Sequence, residues 1–255
     1  MCCSRLSLLR NAVDLNNKAT ELIADAEYDE AITTLSAALL QVKHAIRSPS
    51  NDDDYWTDKA STISTTAPLR FRLEDEHSSS RTLQSSPHDH ADAEDDEWYL
   101  YRYPLQISND AADNLGTADY IEVVSFAGVY NLALCHHIQA LSPTLKKDSM
   151  HLRLQRATSF YEHSQKLLSN NPAIMDPDMI HSLVITNNLG HAHYHRGNTT
   201  NGQLCFQQLL NAILYISDNV GSENLVASSD KARWDGFMVN IMQHLIAKMS
   251  HAAAA

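Results

Sequence analysis

Histidine is the residue type whose abundance and spacing first suggest chemistry in this 255-residue chain. The chain carries 14 histidines, and His191 and His195 lie one helical turn apart, where two imidazoles could chelate a divalent metal if a third ligand joined them. No glutamate follows His191 as in zinc-protease helices, and no cysteine pair with zinc-finger spacing lies nearby. We therefore predict no metal and no cofactor, with His193 buried against a neighbouring helix and His191 and His195 neutral.

No recognised catalytic arrangement occurs in the sequence. It contains no G-x-S-x-G nucleophile motif, no phosphate-binding loop and no dinucleotide fingerprint, and it has only seven glycines. Asp52, Asp53 and Asp54 match a metal-binding triplet only in composition, because they lie in a polar stretch where burial cannot tune a pKa. We predict that the protein is not an enzyme and has no catalytic residues. An enzyme with an unfamiliar site, or a histidine-rich metal-binding module, is the remaining alternative.

The charge of the chain argues against nucleic acid as a partner. Nineteen Lys and Arg face 31 Asp and Glu, a net charge of −12, whereas binding to a phosphate backbone needs clustered cations. Between Ser48 and Glu97, thirteen acidic residues face four basic ones, so nine of the twelve net negative charges belong to one stretch. The rest of the chain is close to neutral.

Cysteine usage and hydropathy favour a protein of the cytoplasm or the nucleus. The four cysteines (Cys2, Cys3, Cys135 and Cys205) are too few and too scattered for a disulfide framework. No run approaches 18 apolar residues, so we predict no membrane-spanning segment and no membrane partner. Acylation of Cys2 or Cys3 is an alternative, although no glycine stands at position 2 and no basic cluster follows.

Helical periodicity divides the chain into a regular part and a polar insert. Apolar residues recur at helical spacing in two helices over residues 6–46 and in five later segments, 117–141, 150–169, 177–196, 200–218 and 229–248. The insert is rich in Ser, Asp and Glu and too poor in apolar groups to offset the entropy of ordering, so we predict disorder there. The predicted organisation is one structural domain comprising a first helix pair (1–46), the acidic insert (47–97), an extended connector (98–116) and the remaining helices (117–255).

Two short pieces alternate in the manner of strands. They are Leu69–Leu73, where apolar and basic residues alternate, and Tyr99–Tyr103, where aromatic residues alternate with longer side chains before Pro104. They predict a small extended or hairpin element near residues 69–73 and 99–107. The two pieces either pair as a hairpin packed on the helices or lie across them as extended arms.

Small residues recur at fixed spacing in the helical part. The spacing is twelve residues in two pairs of helices and twenty-four in a third, where an insertion near Ser142 to Met150 would separate the helices. The small residues are Ala19 and Ala31, Gly190 and Gly202, and Ala133 and Ala157. Small side chains at such positions let two helices approach closely where they cross.

This repeat resembles the tetratricopeptide repeat over residues 12–46, 126–169 and 183–216. The resemblance implies an all-α fold: a right-handed α–α superhelix of about three helix pairs with a C-terminal capping helix. We expect the apolar residues of that last helix, including Met238, Met242 and Ile246, to cover the exposed face of the preceding pair. The chain departs from the family pattern at Lys18, at Leu209 and in lacking the closing proline.

The resemblance also implies a concave groove, lined by the first helix of each pair, that holds an extended peptide or a partner helix. The groove positions carried over are Asn16, Asn17, Thr20, Tyr130, Asn131, Leu134, His137, Asn187, Asn188, His191 and His195. Asparagine recurs at one register (17, 131 and 188), and its amide offers donors and an acceptor to any peptide backbone. These amides either bind the backbone of a ligand or pair with backbone inside the array.

The expected function is an interaction scaffold with a protein or peptide partner, of undetermined oligomeric state. Chaperone-binding members of the family grip a carboxylate with Lys and Arg, and at the matching positions only Asn131 agrees, which disfavours a chaperone tail. One alternative is a self-masking regulatory adaptor, whose acidic insert competes for the groove and gains charge by phosphorylation between Ser78 and Ser86. Another alternative is a groove whose affinity for acidic ligands changes when its histidines become protonated.

Overall fold

The computed structural model describes residues 5–48, 98–108, 115–170, 179–220 and 231–253. These residues form seven α-helices and no β-strand, which confirms the prediction of an all-α protein. The helices are α1 (Arg5–Ala24), α2 (Tyr28–Arg47), α3 (Thr117–Ala140), α4 (Lys147–Asn170), α5 (Ile180–His195), α6 (Thr199–Val220) and α7 (Lys231–Ala253). The piece at 69–73 and all but the first two residues of the predicted insert lie outside the described residues.

The helices lie where the hydrophobic periodicity places them. One difference is between α3 and α4, where the connection is the turn 141–146 and not a longer insertion reaching Met150. The extra residues of this pair lie instead in the helices, since α3 and α4 are each 24 residues long.

Tight turns join α1 to α2 and α5 to α6, and both use the same helix ending. Ala26 follows α1 with a φ of 62°, and Gly197 follows α5 with a φ of 78°. In each turn the next N–H bonds a carbonyl five residues earlier: Glu27 N to Leu22 O at 2.8 Å and Asn198 N to His193 O at 2.9 Å. This left-handed ending reverses the chain, so that the second helix can run back along the first.

Contacts divide the described chain into two compact units. The first unit contains α1–α4, residues 103–108 and the first residues of α5, up to Ser182. The second unit contains residues 98–102, the rest of α5, α6 and α7. Each unit therefore holds part of the non-helical stretch 98–108.

The core of the first unit is built where α1 and α2 meet α3. α1 packs on α2, both pack on α3, and α3 packs on α4. Ala19 of α1 and Ala31 of α2 are fully buried in one cluster with Leu35 and with Leu132 of α3. Methyl-sized side chains at this crossing let larger residues of the neighbouring helices fill the space around them.

α3 is the central helix of the first unit and buries residues around its whole circumference. By length and composition it is apolar enough to cross a membrane, with a mean hydropathy of 1.2 over its most apolar window. However, 78% of that window is buried inside the protein. A core helix passes the same test, so this helix is only weak support for a membrane span.

In the second unit, α5 and α6 cross where two glycines meet. A Cβ at Gly202 would lie 3.3 Å from the carbonyl oxygen of Gly190, and a Cβ at Gly190 would lie 2.9 Å from the ring of Phe206. The twelve-residue spacing of small residues therefore coincides with a close helix contact. The bulky Phe206 fills the space beside the crossing.

α7 packs on α6 and buries Phe237 and Ile241. The expectation that Met238, Met242 and Ile246 also cover the preceding pair is wrong, because these side chains are between 41% and 58% exposed. They lie on the opposite side of α7 from its buried stripe, since residues at i, i+3 and i+4 share one helix face.

Candidate functional site

Residues 98–108, here named the docked segment, are held by asparagine side chains of four helices. Single residues of this segment bond one side-chain amide with both their N–H and their C=O. The N–H and C=O of one residue point to the same side only when the backbone is extended, as in a strand. The docked segment is therefore extended, as both arrangements predicted for residues 99–107 require, and its predicted hairpin partner at 69–73 lies outside the described residues.

In the first unit, Asn16, Asn17 and Asn131 form the first clamp around Leu105 and Ile107. Asn131 Oδ1 accepts the N–H of Leu105 at 2.8 Å, and Asn131 Nδ2 donates to the Leu105 carbonyl at 2.9 Å. Asn17 binds the N–H and carbonyl of Ile107 in the same way, at 2.9 and 2.8 Å. Asn16 completes the clamp, because it accepts from Asn131 Nδ2 and donates to the Leu105 carbonyl, both at 3.0 Å.

In the second unit, Asn187, Asn188 and Asn240 form the second clamp around Tyr99 and Tyr101. Asn240 Oδ1 accepts the N–H of Tyr99 at 2.6 Å, and Asn240 Nδ2 donates to the Tyr99 carbonyl at 2.8 Å. Asn188 binds the N–H and carbonyl of Tyr101 at 3.0 and 2.9 Å. Asn187 accepts from Asn240 Nδ2 at 2.7 Å and donates to the Tyr99 carbonyl at 3.2 Å.

The two clamps use their donors and acceptors in the same way. In each, an Asn-Asn pair on one helix works with a single Asn on another helix, and they bind two residues separated by one residue. Five of the six amides are fully buried, Asn17 being the exception. Burial of these amides is tolerated because their polar atoms are bonded. All of these bonds go to backbone groups or between asparagines, so the clamps recognise an extended backbone.

The side chains beside the two clamps differ in type. Next to the first clamp, the docked segment buries the aliphatic residues Leu105 and Ile107. Next to the second clamp it buries Leu100 and Tyr101 and half-buries Trp98 and Tyr99. The same backbone scheme is therefore combined with an aliphatic surface in one unit and a largely aromatic surface in the other.

Two further predicted groove residues contact the docked segment in the first unit. Thr20 Oγ1 accepts from Gln106 Nε2 at 3.2 Å and donates to the Asn17 carbonyl at 2.7 Å. The Tyr130 hydroxyl lies 3.4 Å from the Tyr103 carbonyl oxygen, a long hydrogen bond. Seven of the eleven predicted groove residues thus contact the docked segment or hold it: Asn16, Asn17, Thr20, Tyr130, Asn131, Asn187 and Asn188.

The other four predicted groove residues are placed among side chains of the helices. Leu134 is fully buried, and His137 Nδ1 lies 3.4 Å from the Tyr161 hydroxyl. The rings of His191 and His195 are 4.4 Å apart. Burial lowers the pKa of His195, so this imidazole is neutral at pH 7 as expected. His193 is buried, which was also expected.

Within the described residues, no group of three or more His, Cys, Asp or Glu side chains is placed to hold a metal ion. Cys135 is a buried free thiol, and burial raises its pKa to about 12. Burial, aided by the charges of Arg156 and Arg153 and opposed by Asp29, lowers the pKa of His136 to about 4. Both the thiol and this imidazole are therefore neutral at pH 7.

Asn240 is the clamp residue absent from the predicted groove. A signal was present, because Asn240 belongs to the stripe of α7 that also carries Phe237 and Ile241, all three fully buried. A buried amide inside an apolar stripe needs a hydrogen-bond partner. That partner, Tyr99, lies 141 residues away in sequence and cannot be read from the helix pattern.

The first unit also has a cavity of about 760 Å³ beside the turn between α1 and α2. Its polar side chains bond one another: Gln139 Nε2 donates to Asp29 Oδ1 at 2.8 Å, and Arg153 donates to Gln139 Oε1. Arg153 also lies 3.5 Å from Asp29 Oδ1. Because these groups satisfy each other and Asp29 is largely exposed, the clamps are the stronger candidate site.

Comparison with protein-family models, with curated proteins and with solved structures found no match to this chain. Its function is therefore inferred from its own residues. The feature with the clearest chemical meaning is the pair of clamps, because their amides bond both the N–H and the C=O of residues in an extended backbone.

Proposed function

We propose that this protein is a non-enzymatic scaffold that binds an extended segment of a partner protein in the place of the docked segment. The observation that carries the proposal is the set of two-bond asparagine contacts to Tyr99, Tyr101, Leu105 and Ile107. These contacts use only backbone groups, which every peptide has. A site of this kind accepts any extended segment whose side chains are compatible with its walls.

We propose further that the helices form a tetratricopeptide-like array. Three observations support this: tight turns join α1 to α2 and α5 to α6, small residues stand at both helix crossings, and the clamp asparagines belong to α1, α3, α5 and α7. Alternate helices that supply ligand contacts are what a right-handed α–α superhelix would give. The docked segment would then occupy the position of a ligand.

Occupation of the clamps by the chain itself supports a self-masking version of this function, in which the masking residues belong to the predicted connector and not to the acidic insert. A tethered segment has an effective concentration at its site on the order of millimolar for a short flexible connection. A partner must therefore bind tightly, or a second event must release the docked segment. Phosphorylation of the Ser-rich stretch 78–86 is one such event, and that stretch lies outside the described residues.

The test uses an opened variant, Tyr99→Pro with Tyr101→Pro, in which proline removes the two N–H groups that Asn240 and Asn188 accept. A labelled synthetic peptide that copies residues 96–104 is titrated by fluorescence anisotropy. We expect the opened variant to bind this peptide at least about tenfold more tightly than the wild-type chain, because its own segment no longer competes.

The control for this test removes the amides themselves. Adding Asn188→Ala and Asn240→Ala to the opened variant should weaken peptide binding about a hundredfold, because four backbone hydrogen bonds are lost. Asn201→Ala, at an exposed position on α6, is the matched substitution and should leave binding unchanged. Unchanged binding after loss of both clamp amides would contradict the proposal.

A further inference from the structure

We infer that the second clamp selects peptides with aromatic residues at the positions of Trp98, Tyr99 and Tyr101, so that the partner segment, with the buried Leu100 between them, has the pattern aromatic–aromatic–apolar–aromatic. This inference rests on the proposed function and adds a preference for sequence, which backbone bonds alone do not supply. It follows from three ring-binding sites that α5, α6 and α7 form beside the clamp.

The first ring site holds Trp98 between two aromatic residues. The indole stacks on Phe206, with centroids 4.9 Å apart and planes at 21°, and lies 4.3 Å from the ring of Tyr194. Trp98 Nε1 is buried without a hydrogen-bond partner among the described residues. The site therefore binds the flat ring but not the N–H, and a phenyl ring avoids the cost of burying an unbonded donor.

The second ring site exists because residue 236 is glycine. The ring of Tyr99 lies over Gly236 so closely that a Cβ there would overlap it. Phe237 meets the same ring edge-on, with centroids 6.0 Å apart. The missing side chain of Gly236 thus makes room for an aromatic ring at this position of the bound peptide.

The third ring site holds Tyr101, which is almost fully buried. The guanidinium of Arg233 lies over this ring, 5.4 Å from its centroid. A cation above a ring face favours an aromatic residue over an aliphatic residue of similar size. By contrast, Arg102, the next residue of the docked segment, is exposed and adds no selection.

The second clamp and its ring sites bind a partner peptide and not the docked segment of a second copy. Each copy carries its own segment on its own clamp, joined to the same chain, so a second copy's segment has no advantage over it. A peptide with rings that fit the three sites better, such as one with phenylalanine in the first, does have an advantage. Exchange of docked segments between copies would contradict this assignment, and the test below detects it.

The experiment titrates single variants of the peptide copying residues 96–104 against the opened variant. Alanine in place of Trp98, Tyr99 or Tyr101 should each weaken binding about tenfold, because each removes the ring that occupies one of the three ring sites. Alanine in place of Arg102 is the matched control and should have no effect. Phenylalanine in place of Trp98 should bind no more weakly than the original peptide.

A substitution in the protein checks the second ring site from the other side. Gly236→Ala in the opened variant should weaken binding of the peptide that copies residues 96–104 about tenfold, since the new methyl group would overlap the ring at the position of Tyr99. The peptide with alanine in place of Tyr99 should be insensitive to Gly236→Ala. An equal loss for both peptides would contradict the placement of the ring.

The results of these titrations test the aromatic preference and the proposed function separately. Equal binding of all peptides by the opened variant would overturn the aromatic preference and leave backbone recognition standing. No binding of any peptide, with helical circular dichroism intact, would overturn both. Wild-type dimers that exchange their segments, detected by light scattering and energy transfer between labelled copies, would make a second copy the occupant and overturn the inference.

A second measurement covers the case in which the opened variant does not fold. In the full wild-type chain, Gly236→Ala should lower the midpoint of unfolding, and in a Tyr99→Ala background it should not. Such non-additive behaviour is expected when two residues share one contact. Additive effects would contradict the ring site without any use of the opened variant.

Discussion

The two clamps have one hydrogen-bond scheme and two different surroundings. In the first unit the bound residues are Leu105 and Ile107, and in the second they are Tyr99 and Tyr101, with Trp98 next to them. The amides give the same number of bonds in both units. The asparagines bond the backbone in the same way in both units, and we propose that the neighbouring side chains decide which sequence each clamp prefers.

The two units also differ in how they bring helices together. The first unit uses alanines at its crossing and Ala26 at its tight turn, while the second uses glycines at its crossing and Gly197 at its turn. Glycine permits closer contact and a left-handed φ without strain. The second unit should therefore be more sensitive to added methyl groups, and the first should gain from a glycine in its turn.

The largest effect is expected from the clamps themselves. Asn188→Ala removes two hydrogen bonds from the backbone of the buried Tyr101 and should lower the free energy of unfolding by about 2–4 kcal/mol. Asn17→Ala, at the equivalent but half-buried position, should cost about 1–2 kcal/mol because water can replace the amide. Urea denaturation measures both values, with Asn201→Ala as the exposed control.

Equal losses of unfolding free energy for the two variants would break the comparison, since they would mean that the difference in burial between Asn17 and Asn188 has no energetic effect. A loss below that of the exposed control in both variants would mean that the amides do not hold the docked segment.

The second largest effect is a loss of stability of the first unit at low pH. Burial lowers the pKa of His136 to about 4, while an unfolded histidine titrates near ~6.5. Between these values the unfolded state binds more protons, so stability falls as the pH falls through this range. His136→Phe keeps the stacking on Phe160 and removes the titration. From pH 7 to pH 4.5 the wild type should lose on the order of 2 kcal/mol more than this variant.

Parallel pH profiles of the two proteins would contradict this assignment. Urea midpoints at half-unit steps of pH are sufficient to distinguish the two results.

The third effect compares two glycines. Gly190→Ala places a Cβ 2.9 Å from the buried ring of Phe206 and 3.1 Å from Cys205 Cβ, and it should destabilise by about 1–2 kcal/mol. Gly128→Ala meets chiefly a methyl carbon of half-buried Leu39, at 3.0 Å, which can rotate away. This second change should be neutral or stabilise by up to about 1 kcal/mol through helix propensity. Thermal unfolding of both variants checks the order.

The smallest effect is expected at the turns. Ala26 and Gly197 are exposed and share a left-handed φ, which costs alanine more than glycine. Ala26→Gly should stabilise by about 0.5–1 kcal/mol, and Gly197→Ala should destabilise by about 1 kcal/mol. A Cβ at Gly197 has no neighbour within 4 Å, so a loss there reports the backbone alone. Opposite signs for the two changes in unfolding free energy are expected if both helices end in the same left-handed conformation. Equal signs would contradict this shared helix ending.

The helices could be predicted from the sequence because their signals are local. Hydrophobic periodicity is complete within one helix, and the spacing of Gly190 and Gly202 marks a contact between helices adjacent in the chain. Asparagine also recurs at one register of three helices, at 17, 131 and 188. The amides could therefore be predicted to bind a peptide backbone before the docked segment was known to be that backbone.

The partner of the amides could not be predicted, for two physical reasons. Tyr99 and Asn240 are 141 residues apart, and no local pattern pairs them. In addition, an extended chain bonded to side-chain amides needs the same alternation as a strand bonded to another strand. The alternation in Tyr99–Tyr103 was therefore equally compatible with a hairpin and with an arm held by asparagines.

The most direct test of the clamps is residue-resolved amide hydrogen exchange of the wild-type chain by NMR. The N–H groups of Tyr99, Tyr101, Leu105 and Ile107 should exchange slowly, because each is donated to a clamp asparagine, whereas that of the exposed alternate residue Arg102 should exchange fast. Asn188→Ala should release Tyr101 and leave Leu105 and Ile107 protected. Exchange of all four clamped amides at unprotected rates would contradict the central claim that asparagines hold the segment as an extended backbone.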